Sequence, residues 1–417
     1  MSDIYLHTDS WILFSTCFTA GAMLLSLYVL RFRYFKMLAK HAAWQLEAQA
    51  VELATHEALI NGLSNENHIL SIVVPIKNEK ESYLPLLENL FEQQYNDHYE
   101  IIVADESHSE DVKLACEQIQ RTKFNDLRYT YVPDSSRHIE KRKLAITLGL
   151  RAARGEWVIV LEPETLPASN KWLFHFSQSL SDAYDLVSSY YNYEDDGTLV
   201  ARRAIFDRVC AFVTRISAWE DEWVIDCPPS GWAVRKKWFL EQNGFADSVN
   251  MAFGEEAIFA CMHANAERTC LLCSPSTRLV EKLPTIATLR TKRMQACEIT
   301  HYLWKYQRKY HLQDIAATIV AYLFIGCQTL YSTSRLMCDF TKGEYTDSML
   351  ISDIANTVFW LAGLLMPLLM VRSGLKTLDE RKYGAYIYLY DFLRPFHAIA
   401  NEWRRSIHQQ EFKRKFI

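Results

Sequence analysis

The stretch SIVVPIKNEKESYLPLLENLFEQQYNDHYEIIVAD, Ser71–Asp105, decides how this chain is read. With its flank it opens on a short β-branched run, HILSIVVPI from His68 to Ile76, which Pro75 is expected to stop. A helix-like run follows from Glu81 to Gln94, and YEIIVAD, Tyr99–Asp105, is a second strand that ends on an acid. Beyond it the sequence predicts a polar helix, a strand over Leu127–Pro133, a helix over Ile139–Ala153 and a strand EWVIVLE over Glu156–Glu162. Strands separated by helical runs imply βαβ units, hence an α/β fold with a mainly parallel, Rossmann-like sheet and helices on both faces. Ligands of such sheets bind beyond the carboxyl ends of the strands. Pro75, Asp105 and Glu162 all fall there. One acid after one strand is as readily a helix cap; a series of such strand ends points to a ligand cleft.

The chain has 417 residues, 49% of them hydrophobic, and a formal net charge of −5. That is enough for one large core with appendages, and a charge so near balance gives no reason to expect a nucleic-acid partner. The ten cysteines are scattered, so reduced thiols are expected. Cys270 and Cys273 have the spacing of half a zinc site, but no second CxxC or HxxxH completes it.

Working outward from the α/β middle, Trp11–Leu30 is uncharged over about 30 Å of helix, enough to cross a bilayer. Arg31, Arg33, Lys36 and Lys40 follow it, and the ten residues before it hold no Lys or Arg, which puts the body of the protein on the cytoplasmic side. Ile315–Ser334 and Ile354–Val371 are also uncharged, and Arg372, Lys376, Arg381 and Lys382 follow the second. For the first of these two, a buried core helix is the competing reading. The expected organisation is an N-terminal anchor (1–36), a juxtamembrane amphipathic helix (37–66), a cytoplasmic domain (67–310), two spans with a short external loop (311–372) and a basic, aromatic tail (373–417). For the tail, an interfacial helix and a helix packed on the globular domain both stay open.

The quoted stretch resembles the opening of membrane-bound family 2 glycosyltransferases, inverting enzymes with the GT-A fold. Pro75, Asn78 and Glu79 match the motif ending their first strand, with Lys77 inside it; Asp105 matches the acid that holds the nucleobase, and Glu106 replaces a second aspartate. EKRKLAITLGLRAARGEWVIVLEPETLP resembles the next family segment, with Arg142 where lysine is usual and Lys143 beside it. Ser230–Gly231 and GEEAIFACMHANAER continue the likeness, as do Arg290 and Arg293 in TLRTKRMQ. The resemblance implies a nucleotide-sugar donor, UDP-linked, bound by Pro75, Lys77, Glu79, Asp105, Arg142, Lys143, Arg290 and Arg293. It implies Mg²⁺ or Mn²⁺ on Glu162 and Glu164, which stand for the family's Asp-x-Asp, with Glu256 as the base and Glu255 beside it.

Three outcomes follow for Glu162-Pro163-Glu164. It binds the metal with altered geometry, or basic residues such as Arg142, Lys141 and Lys143 neutralise the phosphates instead, or only a binding shell remains. For Glu255 and Glu256 the plainer alternative is a pair of acids favoured by a helix dipole. In SAWEDEWVIDC, Ser217–Cys227, aromatic faces beside carboxylates suit a sugar ring, and a buried tryptophan pair is the commoner cause. The resulting expectation is a transferase of the cell inner membrane, with its catalytic domain cytoplasmic, acting on a lipid-linked or glycan acceptor among membrane lipids. The alternatives are an inactive scaffold subunit of a glycan-assembly complex and a processive polysaccharide synthase.

Overall fold

The computed structural model describes residues 69–77, 83–133, 140–307, 371–380 and 386–414, together with 37–42, Gln45 and scattered helical positions between 309 and 369. The chain divides into two compact units, Met1–Ala39 with Lys309–Ala400, and Lys40–Arg308 with Asn401–Ile417.

The larger unit is built on a seven-stranded sheet. Its first four strands in space come from the opening of the domain: β1 (Leu70–Ile76), β2 (Tyr99–Asp105), β3 (Leu127–Tyr131) and β4 (Trp157–Val160). With β6 (Leu186–Ser189), β8 (Trp232–Arg235) and β9 (Thr269–Leu272) the order is β3-β2-β1-β4-β8-β6-β9. β8 runs antiparallel to both its neighbours, and the other pairs are parallel. β5 (Thr165–Pro167), β10 (Leu279–Glu281) and β7 (Tyr191–Tyr193) form a separate three-stranded sheet. The mixed α/β fold with a largely parallel sheet agrees with the GT-A expectation.

β1 is buried along its length, as a strand covered on both faces must be. Its side chains alternate between two cores. Ile72 and Val74 pack with Leu86, Leu87 and Leu90 of α1 (Leu84–Phe91), Val112 and Cys116 of α2 (Glu110–Thr122), and Trp172 and Phe176 of α4 (Trp172–Ser177). Val73 faces Ala145, Ile146 and Leu150 of α3 (Lys141–Ala152).

Pro75 does not stop β1; it pairs in register with Ala104, and the strand runs on to Ile76. Backbone groups of odd-numbered residues here face β4, as Val73 O does in accepting from Leu161 N at 3.0 Å. The register with β4 ends at Val73. The N–H that proline lacks is therefore one that β4 would not have used.

Residues 37–42 are helical. His41 Nε2 lies 2.6 Å from the Leu271 carbonyl at β9, and Gln45 reaches the same carbonyl and the Cys273 amide. His41 and Gln45, within the larger unit, are thus docked on the sheet. Cys273 Sγ donates to Gln45 at 3.1 Å, and both cysteines of the CLLC pair are buried.

Among the described residues no helix is long and apolar enough to cross a membrane. Trp11–Leu30 lies outside the described residues, as do most of Ile315–Ser334 and Ile354–Val371. Of the last stretch, Val358, Leu361, Leu365 and Leu369 are described, all helical and all exposed. The tail forms one long helix, α9 (Tyr386–Arg414), numbered after α5 (Leu199–Glu220), α6 (Lys236–Glu241), α7 (Glu255–His263) and α8 (Ile286–Tyr302). In the larger unit, Arg405 of α9 pairs with Glu298 of α8 at 3.1 Å.

Candidate active site

The strand-end acids of β4 sit on a tight turn. Thr165 N donates to Glu162 O at 3.0 Å, with Pro163 in the second position, as β-turns favour. The turn separates the two carboxylates. Glu162 is 21% exposed and faces inward to Arg142, whereas Glu164 is exposed. Ser230 fixes the turn from the far side: its buried hydroxyl accepts from Glu162 N at 3.0 Å and lies 2.6 Å from Thr165 Oγ1.

Arg142 is the hub of the site. It stands in the first turn of α3 between Lys141 and Lys143, where the helix dipole opposes positive charge. Carboxylates from two other segments compensate. Nε and Nη2 donate to Glu162 Oε1 at 3.1 and 2.5 Å, Nη1 donates to Glu256 Oε2 at 3.0 Å and to Glu255, and Nη2 also reaches the Pro229 carbonyl at 3.4 Å. A guanidinium has five N–H donors, and these five contacts use them all. Burial opposes its charge, but Glu162, Glu255 and Glu256 outweigh burial and hold Arg142 well above its ordinary value.

Glu255 and Glu256 occupy the first turn of α7, where the dipole favours acids. Both are buried. Burial pushes Glu256 up to about 7; Arg142 pulls it down and Glu255 pushes it further up. Glu255 Oε2 is buried and has no hydrogen-bond partner among the described residues. It is an acceptor placed beside Glu256 with nothing to accept from.

Lys143 lies on α3 with Arg142, and its ammonium is held by backbone carbonyls. It is 2% exposed and donates to the Ser248 and Met251 carbonyls, in the loop that leads into α7. Burial lowers its pKa, while Glu255, Glu140 and Glu256 raise it. The lysine thus ties the acid-bearing helix to α3. Lys143→Met would leave two carbonyls short of a donor and is expected to lower stability by about 2 kcal/mol, read as a shift of the urea midpoint at constant slope.

Asp105 is fully buried at the end of β2, and its carboxylate is already surrounded. Oδ1 accepts from Ser107 N and Oγ, both at 2.8 Å; Oδ2 accepts from Ser109 N at 2.7 Å and Tyr129 Oη at 2.9 Å. Four donors fill the acceptor capacity of a carboxylate. In this geometry Asp105 anchors the loop after β2. Next to it, burial raises Glu106 to about 7, with Arg142 and Lys77 pulling down and Glu162 pushing up. Glu106, Lys77, Arg142 and Glu162 therefore share one electrostatic neighbourhood at the strand ends. Pro75 lies at the edge of it, and Glu79 lies outside the described residues.

Residues 71–242 match glycosyl transferase family 2. The matched segment is less than half of the chain; it holds Asp105, Glu106, Arg142, Glu162, Glu164 and Ser230, and ends before Glu255 and Glu256. No curated protein matches the chain. Among solved structures, it is similar to the mannosyltransferase PcManGT from Pyrobaculum calidifontis in complex with GDP-Man and Mn²⁺, at 14% identity and a TM-score of 0.45, over 83% of this chain and 99% of that one. It is also similar to S. aureus TarS 1–349 in complex with UDP-GlcNAc, at 14% identity and a TM-score of 0.39, over 82% and 91% of the two chains.

The family 2 resemblance led to Mg²⁺ or Mn²⁺ on Glu162 and Glu164, and these side chains do not suit one. A hard divalent ion needs several oxygen ligands that converge. Glu162 is committed to Arg142, Glu164 is exposed, and among the described residues no group of three or more His, Cys, Asp or Glu side chains could hold a metal.

Arg290 and Arg293, beyond the family 2 segment, do not join the Arg142 hub. Arg290 is exposed, and Arg293 pairs with Asp207 of α5 at 2.9 Å. Arg293 adjoins a second cluster, around Tyr193, that the sequence reading missed. There Glu281 of β10 takes both Arg208 and Lys292 at 2.5 Å, and the Arg208 guanidinium lies 4.0 Å over the Tyr191 ring and 3.4 Å over Tyr193. Glu281 is paired across the small sheet with Thr165, so this cluster adjoins the Glu162 turn. Trp219 of the Ser217–Cys227 segment is structural: its Nε1 donates to the Ala266 and Thr269 carbonyls at 2.9 and 2.8 Å. Trp223 is exposed.

Proposed function

We propose that this chain is an inverting glycosyltransferase that moves a sugar from a nucleotide-sugar donor, UDP-linked, to a lipid-linked or glycan acceptor. The observation that carries the reading is Glu256, a buried carboxylate with its pKa lifted to about 7, set within one hub with strand-end Glu162 inside and beside a family 2 segment. A base poised near the working pH is what proton removal from a hydroxyl requires.

In the proposed step the acceptor oxygen attacks the anomeric carbon from the face opposite the nucleotide. The new carbon–oxygen bond forms as the bond to the phosphate oxygen breaks, and the hydroxyl proton passes to Glu256. Glu255 Oε2, the unsatisfied buried acceptor, orients a sugar hydroxyl. Lys77, exposed at the end of β1, and Lys141 at the start of α3 face the departing diphosphate.

The membrane setting belongs to the same proposal: an anchored protein of the inner membrane with the α/β domain on the cytoplasmic side, organised in the segments laid out from the sequence. Exposed apolar side chains at helical spacing support it, at Val358, Leu361, Leu365 and Leu369 and again along α9 at Leu389, Phe392, Phe396, Ile399, Trp403 and Ile407. Such stripes need an apolar neighbour, and lipid is one.

A second reading, a non-catalytic subunit of a glycan-assembly complex, is favoured by Asp105, whose acceptors are all taken. Release of nucleoside diphosphate from a panel of nucleotide sugars by the purified full chain, in lipid vesicles, separates the two. Turnover is the expected result; none with any donor, despite nucleotide binding, establishes the scaffold instead.

A further inference from the structure

We infer that the Arg142 guanidinium is the resident cation of this site, holding three carboxylates together, so that the nucleotide binds without a divalent metal. The inference rests on the transferase reading and deepens it. Its physical basis is the completeness of the hub. Glu162 comes from the turn after β4, and Glu255 and Glu256 from the first turn of α7, yet all three close on one guanidinium whose five donors are spent. Carboxylates this close repel one another unless a cation stands between them. In this chain that cation is covalently part of α3.

The guanidinium also differs from a metal in reach. Its donors are planar and directional, so it fixes Glu162 and Glu256 relative to each other before any ligand arrives. A metal would assemble them only on binding, and would demand a ligand set that the exposed Glu164 does not complete. Arg142 is therefore a positioning residue. Its charge holds the base and the strand-end acid in place, and the charge facing the diphosphate falls to Lys77 and Lys141.

The test is calorimetry on the purified full chain with UDP and GDP as probes, once in EDTA and once with Mn²⁺, alongside Mn²⁺ uptake followed by electron paramagnetic resonance without nucleotide. Wild type is expected to bind one of the nucleotides with affinities that agree within about threefold in the two buffers, and to take up no stoichiometric Mn²⁺. Arg142→Met keeps the aliphatic stem and removes the cation. It is expected to take up no stoichiometric Mn²⁺ and to lose about tenfold or more in nucleotide affinity in both buffers. Nucleotide binding by wild type only in the presence of Mn²⁺ overturns the inference and leaves the transferase reading standing. Stoichiometric Mn²⁺ uptake by wild type does the same. Absence of nucleotide binding in both buffers sinks the transferase reading and the inference with it. If Arg142→Met fails to fold, the wild-type measurements decide alone.

Discussion

Glu256→Gln is expected to lower the rate of sugar transfer by about 10²–10⁴-fold while nucleotide affinity changes little. The substitution is close to isosteric, and the amide oxygen can still accept from Arg142 Nη1, which reaches Glu256 at 3.0 Å. What disappears is the ability to take a proton. A loss confined to kcat, at unchanged nucleotide affinity by calorimetry, is the signature of a base; an equal loss in both would mean that the side chain only holds the hub together. Retained transfer in the glutamine variant would end the assignment.

The pH dependence of the same residue has a definite sign. Burial lifts Glu256 to about 7, with Glu255 adding to the rise and Arg142 opposing it. The basic form is then lost as pH falls through about 7, so kcat/KM should drop about tenfold per pH unit below that point. Stability moves the other way. The folded pKa lies above the ordinary carboxylate value of 4.5, so the native state binds this proton more tightly than the unfolded chain does. The resulting stabilisation is full below 4.5 and is lost as pH rises through about 7. Glu106, also lifted to about 7, adds to that trend. In Glu256→Gln the acid limb of the activity profile should vanish.

Much of the scaffold was legible because its signals are local. β2 runs from Tyr99 to Asp105 as its apolar run and terminal acid indicate, and the alternation of strands with α1, α2 and α3 follows from hydrophobic period alone. Pro75 misled because its effect depends on where β4 stops pairing, which no local pattern carries. Arg142 illustrates the limit at the site. Its partners lie 20, 113 and 114 residues away, so the resemblance could bring the arginine and the acids to one cleft but not say that they would bind each other. Lys143 is a similar case: a lysine beside an expected phosphate site gives no sign that Ser248 and Met251 will claim its ammonium. Asp105 differs, because its partners were within reach of a reading. Ser107 and Ser109, two and four residues on, are spaced for side-chain turns onto an aspartate. That pattern in DESHS was the available warning that the carboxylate would be taken up locally.

Gly254→Ala is expected to be the most damaging single methyl in the site, costing about 2–4 kcal/mol and most of the activity. Gly254 immediately precedes Glu255 and has φ of +76°, a left-handed conformation. An added Cβ meets two difficulties there. The backbone itself costs an L-residue about 1–2 kcal/mol, and the methyl would come within 2.4 Å of Ile299 Cδ1 and 2.6 Å of Cγ1 on α8. Ile299→Ala in the same chain removes those atoms, so a double-mutant cycle separates the two costs. The steric part should be recovered beyond the cavity cost of Ile299→Ala alone, and the conformational part should persist. Activity gives the second readout. Gly254 O accepts from Ile258 N at 3.0 Å as the first bond of α7, so a shifted backbone here rotates the turn bearing Glu255 and Glu256 away from Arg142. If the double variant regained stability but not transfer, the glycine's conformation, and not merely its small size, would be what aims the two acids. Full recovery of both would mean that the contact with Ile299 is the whole of the constraint.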